Sequence, residues 1–123
     1  NREAYFFADN QINPRHFALQ VVNDTVRMYF SLVPGTPESI YFADMQTDGD
    51  WHSWSVGEPQ IVIAPELDYE GANLTLEPSE RGWVPNPVRQ LRDPAIFEED
   101  GNIYLLYSVA GEQGIAIARI TER

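Results

Sequence analysis

Two short polar pairs, Arg15-His16 and Arg92-Asp93, lie 77 positions apart, and each stands directly before a strand-like apolar run. A carboxylate and an imidazole can take or give a proton or hold a hydroxyl group, and a guanidinium beside them can orient an anion or carboxylate in a fixed geometry. A further carboxyl, Glu70, lies in "YEGANL", and Trp83 lies in "RGWVP". A tryptophan face stacks well on the apolar C–H side of a ring, although tryptophans at turns also serve simply as core plugs. Each pair has a structural reading as well: Asp before Pro favours an extended or turn conformation, and an Arg–Asp pair can tie strand ends together.

The spacing of the pairs belongs to a larger pattern. "RHFALQVVNDTVRMYFSL" (15–32) aligns without a gap on "RDPAIFEEDGNIYLLYSV" (92–109), so that His16 falls on Asp93, Ala18 on Ala95 and Ser31 on Ser108. After a loop two residues longer in the first copy, "SIYFADM" (39–45) meets "GIAIARI" (114–120). Self-similarity of this kind means one supersecondary unit used twice. In the second copy, Ala95 to Phe97 form a short strand, and "EEDGN" makes a tight turn with Gly101 free to take positive φ. "IYLLYSV" follows as a second strand and "IAIARI" as a third. Ile103, Leu105 and Tyr107 point one way and Tyr104 and Leu106 the other, so the middle strand needs a layer on each side. In the third strand, Ala116 and Ala118 are expected to form a small-residue face opposite Ile115, Ile117 and Ile120.

The first copy follows the same plan with strands at 17–22, 26–32 and 40–45. "TDGDWHSWS" then makes a turn, and "EPQIVIAP" a fourth, outer strand. "DGD" (48–50) reads as a turn ahead of a calcium site, and His52 as packing between Trp51 and Trp54. No amphipathic helix is visible. The expected class is all-β, with two antiparallel four-strand units at about 15–64 and 92–121 in one domain. Segment 65–91 connects them as a long ordered loop, and strand 4–8 is available to complete the second unit.

The motif order resembles blades of the five-bladed β-propeller glycoside hydrolases of the family 43 and family 32 group. "RDP" opens an inner strand, an Asp-Gly turn follows, "YLLYS" is the second strand, and "DWHSW" follows the third strand of the other copy. The resemblance covers most of residues 15–120 and implies two consecutive blades, a half-propeller. It implies further that Asp93 contacts sugar hydroxyls and steadies an oxocarbenium-like transition state, with His16 facing the same axis from the neighbouring blade. Arg15, Arg92 and Trp83 would be further substrate contacts. Glycosidic cleavage needs one protonated and one ionised carboxyl roughly 5–9.5 Å apart. The nucleophile or base of these families lies on a first blade that has no match here. Glu70 stands where an "EGP"-like acid motif is approached, although it precedes the "RDP" that it follows in the fructan-cleaving relatives.

The whole composition narrows the partners. Eight arginines and no lysine stand against 19 acidic residues in 123, a formal charge of −11, which disfavours nucleic acid and anionic membrane surfaces. There is no cysteine, no apolar run approaching the roughly 20 residues of a membrane span, and no basic-then-apolar leader in "NREAYFFADN". A soluble protein is expected, with the compartment open and the cytoplasm favoured. Zinc, phosphate-loop and Ser-His-Asp signatures are missing, so neither metal nor cofactor is expected. Two blades alone leave apolar faces and strand edges uncovered, so self-association into a ring is expected, with the "RH" and "RD" turns lining a shared pocket that takes carbohydrate. The alternative is a non-catalytic module that binds glycans or only assembles.

Overall fold

The structure, a computed structural model, describes residues 13–121. It is all-β, with two antiparallel sheets. The first contains β1 (Pro14–Val22), β2 (Thr25–Leu32), β3 (Ile40–Gln46), β4 (Ser55–Val56) and β5 (Gln60–Ile63). Its strands run in the order β1-β2-β3-β4, with β5 also on β3. The second contains β6 (Arg92–Glu99), β7 (Asn102–Val109) and β8 (Gly114–Ile120), in that order. Strand 4–8, expected to complete the second unit, lies outside the described residues. No helix among the described residues is long and apolar enough to cross a membrane.

The internal repeat is carried into the hydrogen-bond register. Ala18 pairs with Tyr29 and Arg15 with Ser31 in the first sheet; Ala95 pairs with Leu106 and Arg92 with Ser108 in the second. Both ladders slip at the same place, between Arg15 and Ala18 and between Arg92 and Ala95. In each bulge the residue after the arginine turns left-handed, His16 at φ 57° and Asp93 at φ 52°. Side chains with a Cβ seldom adopt that region. The hairpin turns match too, with Asn23 at φ 55° and Asp100 at φ 50°, both types that tolerate it, and Gly101 follows at φ 76°.

The sheets pack face to face, with β6 against β1 and β2. Between them Ile40, Leu91, Leu105, Tyr107 and Val109 are buried, flanked by Val62, Ile63, Ile96, Ala116, Ala118 and Ile120. Each fully buried aliphatic or aromatic side chain contributes about 1.5–3 kcal/mol of transfer free energy. The first sheet has a second apolar face, with Met28, Phe30 and Ala43 buried and Val26, Tyr41, Met45 and Val56 around them. β7 is apolar on both faces, but only Leu105, Tyr107 and Val109 are buried, because only that face meets the first sheet. Ile120 belongs with Ala116 and Ala118, not opposite them. Side chains alternate along a strand, so Ile120, two residues after Ala118, points to the core while Ile115 and Ile117 point out. β6 is also longer than the expected Ala95–Phe97, because the ladder continues through the bulge to Arg92.

The connector 65–91 contains one 3-10 turn, Asp68–Glu70, and is pinned to both sheets through its backbone. Leu91 N–H donates to Glu38 O and Ser79 N–H to Gly35 O on one side; Ala110 N–H donates to Glu70 O and Gly111 N–H to Gln90 O on the other. Gly71 ends the 3-10 turn at φ 92°, and a Cβ there would lie 2.7 Å from Val88 O. We therefore expect Gly71→Ala to lower stability by roughly 1–3 kcal/mol in denaturant unfolding, the cost of a strained left-handed residue, with the backbone clash adding to it.

Candidate functional site at the junction of the inner strands

The matching bulges meet. β1 and β6 are the strands at which the two sheets approach, and their left-handed residues turn toward each other, bringing His16 Nδ1 within 3.1 Å of Asp93 Oδ1. Ser108 Oγ, from the neighbouring strand β7, donates to Asp93 Oδ2 at 3.0 Å. With Nδ1 facing the carboxylate, Nδ1–H is the donor, and in the neutral ring Nε2 has its lone pair for another group. The side chains are 53% and 37% exposed, so the pair is open to solvent and to a ligand.

Directly behind the pair lies a buried ionic cluster. Glu38, fully buried, receives Arg15 Nε at 3.0 Å and Nη2 at 2.9 Å. It also accepts from Ser31 Oγ at 2.7 Å and lies 3.4 Å from Arg92 Nε. Arg92, 1% exposed, donates from Nε and Nη2 to Gln90 Oε1 and from Nη1 to Gly82 O at 2.9 Å, with Glu112 3.5 Å away. One carboxylate thus holds the two arginines that immediately precede His16 and Asp93. Arg92 also fixes the loop at Gly82, next to Trp83, which is 76% exposed.

Of the residues singled out from sequence, His16 and Asp93 are brought together in the open, and Arg15 and Arg92 are brought together behind them. Glu70 is elsewhere. It is 2% exposed, and among the described residues its Oε2 has no hydrogen-bond partner and no hydrogen bond or ion pair joins it to Asp93. Burial pushes its carboxyl above the ordinary value, opposed by backbone N–H groups of Glu66 and Leu67. Burial and the nearby Glu70 push the Tyr107 phenol up as well. Glu38 and Ser108 were missed in the sequence. Ser108 had a signal, its alignment with Ser31 in the repeat, and in the structure both donate to a carboxylate. Glu38 had none, since it lies in the loop where the two copies differ in length.

At the far turn, Asp50 accepts from His52 N–H and caps a short 3-10 turn, with Gly49 at φ 76°. The His52 contacts hold its carboxyl below the ordinary range. The rings of Trp51 and His52 lie against each other at a tilt of 31°, with centroids 3.7 Å apart.

No protein-family model matches the chain, and no solved structure matches it. Among curated proteins it is similar to a protein named "Uncharacterized protein R118" from Acanthamoeba polyphaga mimivirus, 42% identical over 107 residues. The match takes in 86% of this chain and 30% of that protein, so the chain spans under a third of the length of its curated relative.

Proposed function

We propose that the chain is a two-blade unit of a β-propeller of the glycoside hydrolase type, and that the His16–Asp93 pair is its contact with sugar hydroxyls. The observation that carries this reading is the meeting of two repeat-equivalent bulges, one from each inner strand, with a hydrogen-bonding pair left open to solvent. Asp93 presents acceptor oxygens held in place by Ser108, and His16 in its neutral form presents the Nε2 lone pair, two acceptors suited to the two O–H groups of a vicinal diol. Trp83, on the loop that Arg92 anchors, offers an exposed aromatic face for the ring of the same sugar or the next one.

Binding is better supported than hydrolysis. Glu70, the acid candidate, is buried, whereas a catalytic acid must reach the leaving oxygen. Self-association, with neighbouring copies forming the remaining wall of the pocket, belongs to the same reading. Calorimetry with pentose and hexose oligosaccharides, beside release assays on aryl glycosides, tests it. We expect saturable binding without turnover, weakened about tenfold by Asp93→Asn, which removes the charge that anchors the His16 N–H and Ser108 O–H. Binding that Asp93→Asn leaves unchanged would remove the site from Asp93, and turnover lost in Glu70→Gln would restore Glu70 as an acid.

A further inference from the structure

We infer that the outer edge of β8 is a docking strip for an extended strand of a partner protein other than this chain, antiparallel to β8, with aliphatic side chains on both faces. The repeat shows what belongs there. In the first sheet, β3 carries β5 on this edge, with Ile40 opposite Ile63, Tyr41 opposite Ile61 and Phe42 opposite Gln60. The equivalent positions of β8 are Ile115, Ala116 and Ile117, and among the described residues no strand pairs with them on that side. A bare edge presents a row of backbone donors and acceptors with no ladder partner.

The first sheet carries this extra strand and the second, among the described residues, does not. A cavity of about 560 Å³ lies beside β8, bordered by Gln60, Val62 and Ile63 of β5 on one side and Ala118, Arg119 and Ile120 of β8 on the other. Strand addition to β8 would drop alternate side chains into this cavity, against the same core that Val62 and Ile63 already touch. Its other face would continue the outward apolar row of Phe97, Ile115 (77% exposed) and Ile117 (61% exposed). The occupant is therefore apolar on both faces, as a strand within a sheet stack is, with an acidic residue beside the exposed Arg119. The chain's own example of such a strand is the Gln-Ile-Val-Ile of β5 flanked by Glu58 and Glu66. This inference does not depend on the sugar reading.

A synthetic peptide of residues 58–66, EPQIVIAPE, titrated into the full chain tests it, with amide hydrogen exchange as the readout. We expect saturable binding and at least tenfold slower exchange at amides within 114–120, with β1 unaffected. Only alternate N–H groups of an added strand face the edge, so of two peptides N-methylated at alternate residues, one should bind at least tenfold more weakly than the other. Failure to saturate at millimolar peptide, or equal binding of both methylated peptides, would overturn the inference. So would a β8 edge already protected in the chain alone. A concentration-dependent mass in light scattering would then give the edge to a second copy, and a constant monomer mass to the chain's own residues 4–8.

Discussion

Glu38→Ala should lower the unfolding free energy by about 3–5 kcal/mol, the range for removing one partner of a buried ionic group and stranding the rest. Two guanidiniums depend on this carboxylate. Arg15 loses both of its hydrogen bonds to it, and Arg92 loses the carboxylate 3.4 Å from its Nε while remaining buried on Gln90 and Gly82. Ser31 Oγ, also buried, loses its acceptor. Measured stabilities of single domains are only about 5–15 kcal/mol, so this change takes a large share. Urea midpoints with unchanged slopes are the measurement. A cost below about 1 kcal/mol, the scale of an exposed ion pair, would mean that the cluster is not what joins the two bulges. The replacement should also loosen the site: His16 and Asp93 each follow an arginine that Glu38 holds, so the mutual orientation of the pair depends on it.

Glu70→Gln is the second large effect, and it depends on pH. The Glu70 carboxyl is raised above its ordinary value of 4.5 because burial opposes its charge. The folded state therefore keeps this proton at pH values where the unfolded chain has lost it. Linkage gives the sign: the protonated carboxyl's contribution is fully present below about 4.5 and is lost as the pH rises through the folded value. Glutamine does not ionise. We expect the variant to be close to the wild type near pH 4 and to gain on it steadily as the pH rises to 8. Unfolding curves at matched pH values check this. A difference that stays constant with pH would mean that the Glu70 carboxyl is paired or solvated in solution.

Much of the fold was legible because the signal was internal. The gapless match of 15–32 to 92–109 fixes hairpin register twice, and a strand register constrained by two copies and by alternating burial has few alternatives. In "EEDGN", Asp100 and Gly101 marked the tight turn of the second copy in advance through the backbone shapes they accept. The site was half legible. Arg-His and Arg-Asp before a strand announced polar groups at equivalent places, yet nothing in the sequence says that the arginines turn inward and the next residues outward. That division comes from the bulge, which a residue pattern of period two does not encode. Glu38 was invisible for a related reason. It is a charged residue in a loop, a place where charge ordinarily means solvent exposure, and only the approach of the two sheets makes it a buried hub. Glu70 misled in the opposite direction: a carboxyl beside a glycine in a long connector suggested an accessible acid, and the connector instead folds it against Tyr107 in the interior.

The His16–Asp93 junction is proposed as the place where this protein meets a sugar, and shift mapping of the isotopically labelled chain with an oligosaccharide panel tests that proposal. We expect saturable shifts at His16, Asp93, Ser108 and the Trp83 indole, with the His16 Nε2 resonance among the most affected. Shifts that gather elsewhere, or none at millimolar oligosaccharide, would contradict it.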